Sequence, residues 1–513
     1  MLLSKSKYLI GLQCPRHLWT AINDKEKIPE YDETTKWTFE QGYLVQEYAQ
    51  KWFPTGIEIS TEDFNKNLEE SKKLLKKGKP LFEAAFKIEV SENNYIYSRG
   101  DILMPVGDKW DIVEVKSASK TKPENIQDVS FQKYVCEKAG LKIRKCFLMH
   151  INGDYVKKGE IDHKKLMAMD DITEEIEEEI IGIGERIDNL FKIMKSKECP
   201  KVAIGTHCRR PYECPLSSCW DFIPSNSVFD LYYGGKKSFE LFERDIQLLK
   251  DIPKDFNLTR KQQQIQIKCA KTNKPHIDNE EINKFLDKLK YPLYYLDFET
   301  ISTAIPLFDK SHPYQQVPFQ YSLHIVEKKG DEPKHISFLA KSDDDPRHGF
   351  MKSLQENLGD KGSIVVYNES FEKSVFKKLE MLYPKEKQWI EDILKRVIDL
   401  LTPFRNFDYY HPKQKGSASI KAVMPALIPK LPKGIKNYSE MEIGKGDLAS
   451  FAFLKMILGE SPDKKFEKWE KPNEEDLKKI RQHLEEYCEL DTLAEVLIVG
   501  ALGENLNMRG IKG

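Results

Sequence analysis

The chain has 513 residues, more than one ordinary core accommodates, because domains mostly run to roughly 100–200 residues. Its 40% hydrophobic, 11% aromatic and 32% charged residues are those of a soluble globular protein, and no run approaches the ~18 consecutive apolar residues of a membrane span. With 81 Lys and Arg against 82 Asp and Glu, the net charge of −1 excludes a whole-protein basic field and leaves any nucleic-acid binding to local basic grooves.

The N-terminal MLLSKSKYLIGLQC carries lysines inside its apolar part and no small-residue cleavage site, so it does not read as a signal peptide and a cytoplasmic protein is expected. Further along, IYSRGDILMPV and KWDIVEVKSAS read as a β-hairpin about Gly107-Asp108. SFQKYVCEKAG then reads as a helix stopped at Gly140, and KCFLMHING as a strand. From Asp170 to Met194, Ile172, Ile176, Ile180, Ile183, Ile187, Leu190 and Met194 recur at spacings of three and four, which predicts one amphipathic helix with a solvated acidic face.

Residues 226–285 have helical periodicity and little sheet signal, and read as a helical connector. From Tyr291 the pattern changes to buried-strand runs, YPLYYLDFETIST, FQYSLHIVE, HISFLAK and SIVVYN, and from about Lys464 the chain is charged and helical. An α/β protein is predicted, with modules at 1–225 and 286–513 on either side of the connector. The Walker pattern GxxxxGK[ST] is absent, so no ATP-driven motor is expected.

Asp101 lies in one strand of the predicted hairpin. Glu114 and Lys116 lie two apart in the other, hence on one face. Two acids and a lysine suit phosphodiester hydrolysis: carboxylates hold a hard divalent cation such as Mg²⁺ or Mn²⁺, and the lysine polarises water beside the phosphate. On spacing alone, a surface strand of alternating charge is the competing reading. GDILMPVGDKWDIVEVKSAS, followed by Gln132 and Tyr134 in FQKY, resembles the PD-(D/E)XK nucleases, especially the RecB-like branch with an iron–sulfur cluster that includes a CRISPR adaptation nuclease. The resemblance implies an active site of Asp101, Glu114, Lys116 and Gln132. Glu83, one strand earlier, reads as an outer metal ligand or a buried structural carboxylate. The sequence departs from that branch at Gln46, where many members have a histidine, and at Tyr134, two residues after the glutamine instead of four.

Nine cysteines, an odd number in a chain read as cytosolic, suggest metal ligands and buried thiols more than a disulfide framework. Cys208, Cys214 and Cys219 cluster with five and four residues between them, and Cys14 in GLQCPRHLW lies far upstream. One N-terminal cysteine plus three at the end of the module resembles the arrangement of the iron–sulfur RecB-like nucleases, which implies a [4Fe–4S] cluster stapling the module's two ends, with zinc as the alternative. Cys136, Cys146, Cys199, Cys269 and Cys488 read as buried small hydrophobes.

A second acidic set begins with Asp297 and Glu299, two apart in LYYLDFET and so on one face of a strand. Glu372 opens a predicted helix after SIVVYN, and Tyr487 and Asp491 lie four apart on one face of a late helix. Four carboxylates from separated segments can hold two metals that clamp the attacking and leaving oxygens of a phosphodiester. The order resembles the DEDD exonucleases, which have a ribonuclease H-like fold: DxE, then Asn368-x-x-Phe371-Glu372 with glutamate for the usual aspartate, then Tyr487-x-x-x-Asp491. That resemblance implies metal ligation by Asp297, Glu299, Glu372 and Asp491 and a water-orienting Tyr487. Asp399 competes for the third acid and otherwise reads as a strand end.

The combined resemblance, to a prokaryotic family joining a RecB-like module to a DEDD-like module, covers approximately 1–225 and 286–513 and supplies no substrate. A two-site metal-dependent nuclease acting on DNA is expected, in repair or in defence against mobile DNA. A nucleic-acid-binding scaffold with silent sites and an RNA-processing exonuclease are the competing readings.

Overall fold

A computed structural model describes residues 1–341, 344–459 and 472–507. It is a mixed α/β protein that divides into two compact units: Met1–Asp221 with Thr303–Gln315, and Phe222–Ser302 with 316–459 and 472–507.

The first unit opens with β1 (Leu2–Ser4), α1 (Lys5–Gln13) and α2 (Pro15–Asn23), then α3 (Glu33–Gln50), β2 (Ile57–Glu58) and α4 (Phe64–Leu74). β3 (Leu81–Ser91), β4 (Asn94–Val106) and β5 (Lys109–Lys116) form an antiparallel meander. A parallel neighbour requires a crossover, and α5 (Pro123–Lys138) provides it, bringing β6 (Ile143–Ile151) parallel to β5. Proline at its first turn starts this helix, and Gly140, at φ 91°, follows its end. α6 (His163–Leu166), β7 (Met167–Asp171), α7 (Thr173–Glu179) and α8 (Ile183–Lys195) complete the unit. The sheet order is β2-β3-β4-β5-β6-β7, with β1 pairing β4.

Period-two alternation sorts β5 between two cores: Ile112 packs with Leu148, Phe131 and Val135, while Val113 and Val115 pack with Val45, Met149 and Ile305. Glu114 and Lys116 share the parity of Ile112 and so face α5. The acidic stretch predicted as one helix from Asp170 to Met194 is instead the end of β7 and two helices. Gly182 adopts φ 73° at the start of α8, a conformation other residues take only under strain. Ile172, Ile176, Ile183, Ile187, Leu190 and Met194 still enter one core, so the spacing recorded burial and the glycine set the break.

The second unit begins with α9 (Lys236–Glu243), α10 (Lys261–Thr272), β8 (His276–Ile277) and α11 (Asn279–Leu286). The stretch predicted as a connector is thus part of a folded unit. Gln266 accepts from Tyr232 N and donates to the Asp230 carbonyl, and Tyr232, Ile265 and Cys269 pack with Phe407 and Tyr410. Conversely, Thr303–Gln315, predicted within the C-terminal module, belongs to the first unit, where Ala304 and Ile305 enter the core with Val45.

β9 (Leu293–Ile301), β10 (Val317–Val326), β11 (Lys334–Leu339), α12 (Pro346–Asn357), β12 (Ser363–Val366), α13 (Glu369–Leu382), α14 (Lys387–Arg396) and β13 (Val397–Asp399) build a five-stranded sheet of order β11-β10-β9-β12-β13. β9 is antiparallel to β10 and parallel to β12. α15 (Thr402–Arg405), β14 (Tyr409–Tyr410), α16 (Ile420–Leu427), α17 (Gly446–Leu458) and α18 (Glu474–Asn507) follow. The helix predicted from about Lys464 starts outside the described residues. One sheet face, with Leu296, Phe298, Leu323 and Ile364, packs on Phe350, Phe376 and Leu379; β9 also packs against α17 and α18. Among the described residues no helix is long and apolar enough to cross a membrane.

Candidate functional site

Each unit carries a cluster of acids. In the second, alternation along β9 sends Leu296 and Phe298 into the core and Asp297 and Glu299 to the opposite face. α18 supplies Asp491, and one oxygen from each of Asp297, Glu299 and Asp491 lies within 4.8 Å of the others. Glu372, in the first turn of α13, is 1% exposed and its Oε2 has no hydrogen-bond partner. α13 starts immediately after Asn368, at φ 86°, so the chain turns sharply out of β12 and presents Glu372 toward Asp297. The cluster sits at the carboxyl ends of parallel neighbours, where open α/β sheets bind ligands.

Burial, and after it the charge of Asp491, raises the Asp297 carboxyl well above its usual range. Burial, then Asp297 and Asp491, does the same to Glu299, while burial pushes Asp491 up to about 6. Lys421 opposes these shifts in all three. Its Nζ donates to the Gly444 carbonyl at 2.6 Å and to Tyr487 Oη at 3.3 Å. Tyr438 Oη donates to Asp491 Oδ1 at 2.5 Å. One lysine cannot neutralise such a set of carboxylates; protons or divalent cations complete the balance.

Asp399 is spent differently: its Oδ1 accepts from Asn368 N and Leu401 N, each at 3.0 Å, which fastens the strand end. Sequence reasoning passed over Glu495, 1% exposed, whose two carboxylate oxygens lack partners and whose carboxyl is raised by burial, Asp297 and Glu372. Its signal was an acid one helical turn after Asp491 inside the apolar run LAEVLIV. Cys488 is more than filler, since its Sγ lies 3.9 Å from Asp297 Oδ2.

In the first unit, the predicted residues converge where β4, β5 and α5 meet. Asp101 Oδ2 accepts from Val115 N at 2.7 Å, and Lys116 Nζ donates to Glu114 Oε1 at 2.6 Å. Gln132 Nε2 donates to Glu114 Oε2 at 2.7 Å, and its buried Oε1 is without a partner. Two further members were not predicted. Asp128, four residues before Gln132 on α5, accepts from Lys116 Nζ at 2.7 Å, and Lys5 Nζ lies 2.8 Å from Glu114 Oε1 and 3.2 Å from Asp128 Oδ1.

Burial, and after it the negative charge of Glu114, pushes Asp101 up to about 8. Glu114 is also buried, but Lys116 and Lys5 together outweigh burial and hold it below its usual range. The same carboxylates overcome burial at Lys116 and keep its ammonium protonated. Glu83 adopts φ 61°, at a gap in the β3–β4 ladder between Phe82–Ile102 and Ala84–Gly100. Its carboxylate is taken by Gln46 Nε2 at 2.6 Å and Arg99 Nε at 2.6 Å.

The four cysteines of the predicted cluster are free thiols drawn from two ends of this unit. Cys14 forms the joint between α1 and α2, and the adjacent Gln13 donates to the His207 and Tyr212 carbonyls at 2.8 and 2.7 Å, docking that joint on the Cys208 loop. Cys214 N donates to the Cys208 carbonyl at 2.9 Å. Burial, then the fields of Cys14 and Cys208, raise the Cys214 thiol; at Cys219, Arg16 opposes the same influences.

The solved structure titled "Crystal structure of SSO0001" matches 41% of this chain and 81% of that chain at 12% identity, with a TM-score of 0.23. The chain is 28% identical over 239 residues to Uncharacterized protein MG366 of Mycoplasma genitalium, and 28% identical over 232 residues to Uncharacterized protein MG366 homolog of Mycoplasma pneumoniae. Each alignment takes in 42% of this chain and 33% of the relative, so the chain spans about a third of the length of these curated relatives. Residues 294–419, which include Asp297, Glu299, Glu372 and Asp399, are similar to the family described as Domain of unknown function (DUF2779).

Proposed function

We propose that the chain is a metal-dependent nuclease that hydrolyses phosphodiester bonds of DNA, with a PD-(D/E)XK-like site in the first unit and a DEDD-like site on a ribonuclease H-like sheet in the second. The observation that carries this reading is the meeting of Asp297, Glu299 and Asp491 within 4.8 Å, with Glu372 buried beside Asp297. Hard oxygen donors without matching lysines or arginines suit Mg²⁺ or Mn²⁺. When bound, such cations polarise the phosphoryl oxygen and lower the pKa of a bound water.

The protein's own groups do the rest. Asp297, Glu299, Glu372 and Asp491 hold the cations, and Tyr487, whose phenol stays protonated because burial and Asp491 raise it, orients the attacking water. Lys421, hydrogen-bonded to Tyr487 Oη, keeps that hydroxyl in place. At the first site Asp101 and Glu114 are the cation ligands, and Lys116, held protonated, acts as a fixed positive charge toward water and phosphate. Gln132, through Glu114, is a positioning residue.

The test is digestion of end-labelled single- and double-stranded DNA and RNA with Mg²⁺ or Mn²⁺, with EDTA as control. DNA shortened only with metal supports the proposal. Metal-dependent cleavage confined to RNA would move the substrate class, and binding without cleavage on any of the four substrates would leave a scaffold.

The cysteines form part of the same reading. Four thiolates from Cys14, Cys208, Cys214 and Cys219 suit a [4Fe–4S] cluster that fastens the α1–α2 joint to the 208–219 loop. Anaerobically purified protein is expected to be brown and to carry iron and sulfide, and Cys14→Ser is expected to lose both and lower the melting temperature far more than Cys269→Ser. Colourless protein with stoichiometric zinc would replace the cluster by the zinc alternative.

A further inference from the structure

α18 presents a second face, turned away from the acids, to a pair of histidines on adjacent strands. His324 of β10 and His335 of β11 are direct cross-strand partners with rings stacked 4.6 Å apart, and each offers a nitrogen within 4.8 Å of the other's and of a Glu489 oxygen. We infer that His324, His335 and Glu489 form a binding site for a borderline divalent metal of the Zn²⁺ class, distinct from the carboxylate cluster.

The placement of these three side chains and of the hydroxyls behind the two rings carries the inference. Thr492 Oγ1 lies 2.8 Å from His324 Nδ1, which holds that ring through Nδ1, and 2.6 Å from Ser322 Oγ. Ser322 Oγ, 2.9 Å from His335 Nε2, holds the second ring in the same way. With those two nitrogens engaged by hydroxyls, Nε2 of His324 and Nδ1 of His335 are the nitrogens a metal would take. His335 Nδ1 faces Glu489 Oε1 at 3.6 Å, too long for a hydrogen bond and a separation that a shared cation would span.

Two imidazoles and a carboxylate, each ring fixed through its other nitrogen by a hydroxyl, form a zinc-type donor set complete with the outer hydrogen bonds that orient such ligands. His324 is buried among these partners. The side chains of His335 and Glu489 are 26% and 46% exposed, which leaves an entry path and room for a water as fourth ligand. Glu485, one turn before Glu489, adds negative charge toward His335. A metal here ties α18 to β10 and β11.

The experiment equilibrates full-length protein against a buffered low-micromolar Zn²⁺ solution and counts bound zinc by elemental analysis in wild type, His335→Ala, Glu489→Gln and Asp297→Asn. Wild type and Asp297→Asn are expected to hold one more zinc per chain than His335→Ala, and Glu489→Gln to bind that zinc at least tenfold more weakly. Zinc is also expected to raise the melting temperature of Asp297→Asn but not that of Asp297→Asn combined with His335→Ala. Glu489 is exposed, so its variant keeps the fold if His335→Ala does not. Equal zinc content and affinity in wild type and Glu489→Gln overturns the site, as does loss of the same equivalent in folded Asp297→Asn, which would place that zinc among the carboxylates.

Discussion

Asp297→Asn is expected to abolish the metal-dependent, stepwise shortening of end-labelled DNA and to spare any cleavage that depends on Lys116. Catalysis by a bound cation stabilises the transition state by several kcal/mol, and each ~1.4 kcal/mol is tenfold in rate, so the loss is about 10³-fold or more. The same change should act oppositely on stability. Without metal, Asp297 repels Glu299, Glu372 and Asp491, so in EDTA the variant melts above wild type, whereas Mg²⁺ raises wild type more than the variant.

The pH dependence has a fixed sign. Carboxyls raised in the fold bind more protons folded than unfolded, so metal-free stability declines as pH rises from about 4, where unfolded carboxyls ionise, through about 6, where Asp491 does so in the fold. Melting curves of wild type in EDTA that are flat across this window and indifferent to Mg²⁺ would contradict the metal-ligand role. Loss of both cleavage activities in folded Asp297→Asn would instead contradict the independence of the two sites.

Lys116→Ala should remove the other activity. Its ammonium sits 2.6 Å from Glu114 and 2.7 Å from Asp128, kept protonated by both carboxylates, and a preorganised donor of this kind contributes about 10²–10³ in rate. The fold and iron content should be unchanged, because Lys5 still neutralises Glu114 and Asp128 and the side chain fills no core. Lys116→Arg keeps the charge but substitutes a planar fork for a compact point charge, so little activity should return. The decisive background is Asp297→Asn: activity that persists there in Lys116→Ala and Glu114→Ala alike assigns the chemistry elsewhere.

How much of this was legible follows from the range of each signal. Asp297 and Glu299, like Glu114 and Lys116, were readable because a strand's period places residues two apart on one face. Asp491 was readable from its spacing to Tyr487 on a helix. Lys5 was not, because nothing local relates it to Glu114, 109 positions away. Lys421 and Tyr438 likewise reach the second cluster only through tertiary packing. Residues 226–285 read as a connector because their core is completed by Phe407 and Tyr410, well outside that window. The His324–His335 pair was hidden for a similar reason, since its register arises from a hairpin pairing that the hydrophobic pattern specifies only as two buried strands.

The alternation in β9 makes the second cluster unusually intolerant of one kind of change. Leu296 and Phe298 anchor the core while Asp297 and Glu299 sit among the acids, so packing and chemistry occupy opposite sides of the same nine residues. Substitutions at the two sets have separable effects, one on folding and the other on metal. Inserting or deleting a single residue between Tyr294 and Asp297 has no such separation, because it would turn the carboxylates toward Phe350 and Phe376 and the leucine and phenylalanine toward the acids. Diversity in chains that retain this strand should therefore appear as exchanges of side chain at constant length, with changes of length confined to the segments on either side.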